Sequence, residues 1–329
     1  LAKGKDKNGD TALTLACQFG KPSTVKLIID EFHANVRELG ADGRNCFLYR
    51  KKKTKMVEMT NNLLTQAYDF LDESNAVYEL LSSLSDENFN EPTQFKGWTF
   101  NDVIGHLHVW NYAADVSLSD GEEWSNFSNK ALKALGSGSS MNQFERTITN
   151  NIRGKELLEV WRKYFTDMAD RFANADPKKR VKWMGPDMSV RSSISARHME
   201  TWAHAQELYD SLGVKRINHD RIKNIVIIGN NTFKWCYTVH NRKLPNETPY
   251  LKLTSPSGQI WEFNNHSETN QISGLAEEFC QVVTQVRNIE DVNLKLVGND
   301  AKEWMSIAQC FAGPAETPPA PGTRKIINK

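Results

Sequence analysis

The sequence predicts a mainly α protein: a four-helix bundle, then a small α+β domain, with a partial helical segment ahead of both. Two observations predict it. Four long stretches carry apolar residues at helical spacing, near 100° per residue. After Gly213 the pattern changes to shorter runs, some alternating and some helical.

Composition narrows the function classes. A chain of 329 residues has room for two or three domains. Hydrophobic residues make up 39% and charged residues 25%, as in soluble globular proteins. The net charge of +1 points to neither nucleic acid nor an anionic membrane as a partner. No run of eighteen apolar residues and no signal-peptide pattern occurs, so no membrane partner is expected. The chain opens on Leu1, which fits a fragment. Its five cysteines, Cys17, Cys46, Cys236, Cys280 and Cys310, are odd in number, widely spaced and without a CxxC. Free thiols in a reducing cytoplasm are the expectation.

The first segment holds the turn Asn8-Gly9-Asp10-Thr11-Ala12-Leu13, a helical run from Leu15 to Phe19 and another from Ser23 to Phe32. The turn pattern returns at Asp42-Gly43-Arg44-Asn45-Cys46-Phe47, with Gly9 and Gly43 34 residues apart. This resembles one ankyrin repeat and the opening of a second. It would offer a protein-binding surface or be a remnant, since about three stacked repeats make a stable array. The basic run Arg50 to Lys55 reads as a solvated linker between two patterns rather than a nucleic-acid patch. Residues 1–55 are thus the ankyrin-repeat-like segment and linker.

The bundle is expected over 56–215. Its first helix runs from Val57 to Leu84, with Leu63, Leu64, Ala67, Phe70, Leu71, Val77, Leu80 and Leu81 on its core face. A loop, Asp86 to Lys96, ends at Gly97-Trp98. Thr99 is a good N-cap and Asp102 its acidic capping-box partner. The helix they open, Phe100 to Leu118, turns Val103, Leu107, Trp110, Ala114 and Leu118 inward. His106 and His108 lie at opposite edges of that stripe, and periodicity does not choose between them. Asp120 to Ser140 reads as a variable connection. The third helix is Gly154 to Ala173, and Asp176 to Asp187 is a loop. The fourth helix, Met188 to Gly213, completes an antiparallel bundle with one long crossover.

The fourth helix carries the chemistry. Val190, Ile194, Leu208 and Leu212 share one stripe, and Arg197, Glu200, Thr201 and His204 fall on it between the apolar ends. Buried charges are costly unless paired or bound to a metal. Glu200 and His204 are four apart and so stack on one face. A carboxylate and an imidazole placed this way can take the same divalent ion, or can simply hydrogen-bond within the bundle. Arg197, one turn earlier, could clamp a substrate carboxylate, orient Glu200, or form a structural ion pair.

Beyond the bundle, Asp220 to His240 reads as a helix. Tyr250 to Thr254 and Gln259 to Phe263 form a hairpin around Ser257-Gly258. Gly274 to Arg287 is helical, Val292 to Leu296 strand-like and Ala301 to Phe311 helical. These make the α+β domain, 216–312. The proline-rich stretch 313–329 is expected to be a disordered tail.

Three motifs then combine: GWTFNDVIGHL at 97–107, RHMETWAHAQELYDSLG at 197–213 and GNDAKEWMSIAQCFAG at 298–313. Together they resemble an uncharacterised, mostly actinobacterial family of metal-binding proteins. That family is similar to mycothiol-dependent maleylpyruvate isomerase and to the wider DinB-like four-helix bundles. The resemblance covers about residues 56–313 and leaves the ankyrin-like segment outside. It implies a metal held by the His of GHL and by the Glu and His of E-x-x-x-H, which here are His106, Glu200 and His204. It thereby selects His106 over His108. Two imidazoles and one carboxylate suit zinc, with nickel or iron as alternatives, and leave the ion an open position.

The resemblance also implies a low-molecular-weight thiol cofactor, mycothiol or glutathione, whose sulfur meets the metal and is activated there. The implied activity is thiol-assisted isomerisation or thiol transfer on a small molecule, with Arg197 as carboxylate clamp. Mycothiol is an actinobacterial thiol, whereas an ankyrin repeat beside a lysine-rich linker looks more eukaryotic, which keeps glutathione in view. Three other readings stand beside this one: a metal-dependent hydrolase, an ankyrin-type adaptor with a structural metal, and a tRNA wyosine-related protein. The last lacks a radical cysteine cluster and a concentrated basic face, so nucleic acid is not the expected partner.

Overall fold

Apolar stripes at helical spacing must be buried against one another, and four of them are. The computed structural model describes residues 64–119 and 121–327. The ankyrin-like segment, the basic linker and the expected helix start at Val57 lie outside the described residues. Helix α1, Thr65–Ser82, buries Ala67, Phe70, Val77 and Leu81. Helix α2, Phe100–Ser119, opens with the expected capping box. The Thr99 amide donates to Asp102 Oδ2 at 2.9 Å and the Asp102 amide to Thr99 Oγ1 at 3.2 Å.

The stretch expected to be a variable connection is instead largely helical. Helix α3 spans Glu122–Gly136, and α4, Met141–Ile148, follows it. In α3 only Trp124, Phe127 and Ala131 are buried, too sparse a stripe among polar residues to stand out in the sequence. Helix α4 is opened by a full capping box of Ser140 and Gln143. Helix α5, Gly154–Ala173, has its expected limits. A short ladder of β1, Arg180–Val181, and β2, Met188–Ser189, precedes α6, Val190–Leu212. Gly213 ends α6 in the left-handed region, φ 70°, which only glycine adopts without cost. Helices α1 and α2 each pack against both α5 and α6, giving the four-helix core, while α3 and α4 pack on α2.

The expected helix over 220–240 is broken. A 3-10 turn at Asp220–Ile222 leads into α7, Lys223–Asn231, and α8, Phe233–Val239. At the break Thr232 Oγ1 donates to the Ile228 carbonyl at 2.9 Å, a side-chain bond that competes with the helix ladder. The hairpin of β3, Tyr250–Thr254, and β4, Ile260–Phe263, forms as expected, with Leu253 opposite Trp261. An unforeseen strand, β5 at Gln271–Leu275, pairs parallel to β3. It buries only Ile272, so no alternation marked it. Helix α9, Ala276–Val283, strand β6, Lys295–Val297, and helix α10, Asn299–Ile307, complete the order β4-β3-β5-β6.

The boundary drawn at residue 215 does not separate one core from another. Met199, Trp202 and Ala203 of α6 share one cluster with Ile225, Leu251, Phe279 and Trp304. From Leu64 onward the chain forms one compact unit. The stretch read as a disordered tail is likewise tied down. Arg324 Nη1 donates to the Gln285 carbonyl at 2.7 Å and the Ile327 amide to the Asp210 carbonyl at 2.8 Å. Gln94 exchanges two hydrogen bonds with the Lys325 backbone, at 2.8 and 2.9 Å. Backbone partners, rather than an apolar pattern, hold this stretch, so composition could not show it. Among the described residues no helix is long and apolar enough to cross a membrane.

Away from the apolar core, Glu73 of α1 is buried among cations. Arg221 Nε donates to it at 2.6 Å, Arg216 makes a closer contact, and His198 lies 3.8 Å away. Burial would raise the Glu73 carboxyl, but Arg216, His198 and Arg221 hold it well below the usual carboxylate range. Arg216 also lies over the Trp202 ring and donates to the Trp202 carbonyl. Removing one partner of a buried pair leaves charge uncompensated. Glu73→Ala is therefore expected to lower stability by about 3–5 kcal/mol, read as a fall in urea midpoint.

His108 titrates against the fold. Its ring packs edge-on to Tyr164, its Nδ1 has no partner, and burial pulls its pKa down to about 4. The unfolded chain binds the proton at about 6.5, so stability is lost as pH falls from about 6.5 toward 4. The full effect is about 3 kcal/mol. Unfolding measured across this range should show a shallower acid-side loss in His108→Phe than in the parent chain.

Candidate metal centre

Two bundle helices supply the candidate ligands. Helix α2 places His106, and α6 places Glu200 and His204 one turn apart on its inner face. His106 Nε2 and His204 Nε2 each lie 3.6 Å from Glu200 Oε2. The three ligand atoms all fall within 4.8 Å of one another. A distance of 3.6 Å is too long for a good hydrogen bond. It is close to the roughly 3.3 Å between donors on a tetrahedral ion with bonds of about 2.0–2.1 Å. His108 takes no part in this group, so the residue chosen from α2 is the one the fold turns toward α6.

The outward nitrogens are also engaged. His106 Nδ1 is 2.7 Å from Glu145 Oε1, and Trp110 Nε1 donates to the same oxygen at 2.9 Å. His204 Nδ1 is 3.4 Å from Glu207 Oε2. A carboxylate can only accept, so each places a proton on Nδ1 and leaves the Nε2 lone pair directed inward when the ring is neutral. Phe95 and Trp98, on the loop before α2, wall the group. Trp98 stacks on His204 with 5.6 Å between centroids and meets His106 at 5.2 Å, and Phe95 meets His204 edge-on.

The electrostatics favour a cation. Burial opposes charge on His106, but the Glu145 carboxylate and then Glu200 outweigh it and raise the pKa. Burial likewise opposes His204, and Glu207 with Glu200 still pushes it up to about 10. Burial raises Glu200, yet the two imidazoles and Arg197 hold it well below the usual range. With both rings neutral, Glu145, Glu200 and Glu207 outnumber the guanidiniums of Arg197 and Arg324 nearby. The group thus has positive charge to gain, from protons or from a metal ion that replaces them. Its donor chemistry fits a divalent ion of the zinc type.

Arg197 stands beside the group. Its Nη2 is 3.9 Å from Glu200 Oε1, its guanidinium lies over the Trp183 ring, and its Nη1 is buried without a partner. Sequence reasoning missed Glu145, Glu207, Phe95 and Trp98. Glu207 could have been found, because it follows His204 by three positions and must share its face. Glu145 carried a similar signal, a charge on the apolar stripe of Met141, Phe144 and Ile148, although its partner lies 39 residues away.

Residues 70–209 match the family described as the mycothiol maleylpyruvate isomerase N-terminal domain. An uncharacterised protein of Mycobacterium tuberculosis, found in two strains, is 32% identical over 246 residues, covering 75% of this chain and 95% of the relative. Among solved structures, the mycothiol-dependent maleylpyruvate isomerase is a remote likeness: 16% identity and a TM-score of 0.43, over 66% of this chain and 87% of that one. A histidine-to-alanine mutant of that enzyme matches with a TM-score of 0.42.

Proposed function

The chain belongs to the mycothiol maleylpyruvate isomerase N-terminal domain family, and from that premise we propose that it is a metal-dependent enzyme. Its reaction is thiol-assisted isomerisation, or thiol transfer, on a small carboxylate-bearing molecule. The observation that supports this is the convergence of two imidazole nitrogens on one carboxylate oxygen, each at 3.6 Å, inside the bundle. His106, Glu200 and His204 would hold one divalent ion, zinc by its preference for two imidazoles with one carboxylate. When bound, that ion supplies Lewis acidity and an open position at which a low-molecular-weight thiol, mycothiol or glutathione, is held as its thiolate.

The other roles belong to this chain's own side chains. Glu145 and Glu207 keep the Nδ1 protons in place, so both rings present Nε2 inward. Trp98 and Phe95 fix the His204 ring and keep water from that side. Arg197 offers its unpartnered Nη1 to a substrate carboxylate, a charge-assisted bond in a site with little water. The orienting contact with Glu200, at 3.9 Å, is too weak to satisfy the guanidinium.

Elemental analysis of purified protein should find about one equivalent of zinc, as one such site requires. His106→Ala, Glu200→Ala and His204→Ala should each lose it, while His108→Ala keeps it. Retention of zinc by all three ligand variants would overturn the assignment. For the second role, activity is assayed with a panel of thiols and unsaturated acids. Arg197→Gln should raise KM for carboxylate substrates by about 10–100-fold, the worth of one charged hydrogen bond. Neutral ester analogues should be unaffected, and an equal loss on both substrate types would remove the clamp.

A further inference from the structure

The carboxylate behind His106 comes from a helix outside the four-helix core. Glu145 is 2% exposed and sits mid-way along α4. Burying a carboxylate is costly, and a residue with no charge would pack as well. The residues on either side of it are both anchored. Phe144 packs on Phe127 within the aromatic cluster that includes Trp110 and Trp124. Arg146 pairs with Asp102 at 2.7 Å, one turn of α2 before His106. The fold therefore holds Glu145 from both sides and aims one oxygen at two donors, Trp110 and His106, which are themselves one turn apart.

We infer that Glu145 is a positioning residue that sets the metal affinity of His106, and that the α3–α4 pair is the element that delivers it. This rests on the metal reading above. By accepting from Nδ1, the carboxylate fixes the tautomer and the ring plane and makes Nε2 a more basic ligand. Trp110 steadies the same oxygen, so the carboxylate cannot turn away without losing a second bond. His204 has a looser arrangement, with Glu207 at 3.4 Å from its own helix, so the tighter brace is the one α4 brings.

The test is zinc affinity of the full chain, measured by competition with a chromophoric chelator, with circular dichroism to verify folding. Glu145→Ala should bind zinc about 10–100-fold more weakly than the parent. Glu145→Gln keeps the volume and an acceptor oxygen but not the charge, and should fall between the two. It also keeps the proposal testable if the alanine variant does not fold. A folded glutamine variant with parent affinity would overturn the proposal, because packing alone would then account for the residue. A parent chain that binds no zinc would instead overturn the metal reading, and the proposal with it.

Discussion

Helix α6 can turn Arg197, Glu200 and His204 toward the protein interior only because charge meets charge there. Glu200 receives two imidazoles and a guanidinium, and His204 is backed by Glu207. A helix carrying these side chains inward without partners would not pack, since an unpaired buried charge costs more than the apolar ends of the stripe return. The same rule governs another face of α6. There Glu73 gathers Arg216, Arg221 and His198 and thereby ties α1 to the chain beyond α6. The two clusters differ in closure. Around Glu73 two guanidiniums reach the carboxylate at short range, whereas the 3.6 Å spacings at Glu200 leave room at the centre.

That difference separates scaffold from site. A charge cluster that is complete contributes stability and little chemistry. One whose donors converge without touching can accept a further group. The unpartnered Nη1 of Arg197 adds a second open valence beside the first. Phe95 and Trp98 pack on one side of the group, and the α3–α4 pair supplies Glu145 on another.

Much of this was legible in the sequence where one signal sufficed. The Thr99–Asp102 box fixed the start of α2, and α5 kept its predicted limits because its stripe is dense. Four-residue spacing brought out Glu200 and His204, but choosing His106 needed the family resemblance, since the helical wheel left two histidines open. What stayed hidden depends on distant contacts. Helix α3 buries three side chains and is stabilised by leaning on α2; strand β5 exists through its neighbours β3 and β6. A threonine inside an otherwise helical pattern gave no warning that its hydroxyl would divide α7 from α8. Glu145 and the 313–327 stretch share this property, each finding its partner far along the chain.

The stretch that closes the molecule bears on how the centre comes into being. Phe95, which touches His204, is covered on another side by the Arg324 guanidinium at 4.9 Å, and its neighbour Gln94 is clasped by Lys325, 231 positions away. On a ribosome, His106, Glu200 and His204 are all translated before Arg324, which lies about 120 positions beyond His204. At roughly 5–20 residues per second, a nascent chain spends on the order of ten seconds with these three side chains translated and that cover absent. The surroundings of His204 are thus completed only when Arg324 and Lys325, far along the chain, fold back onto Phe95 and Gln94.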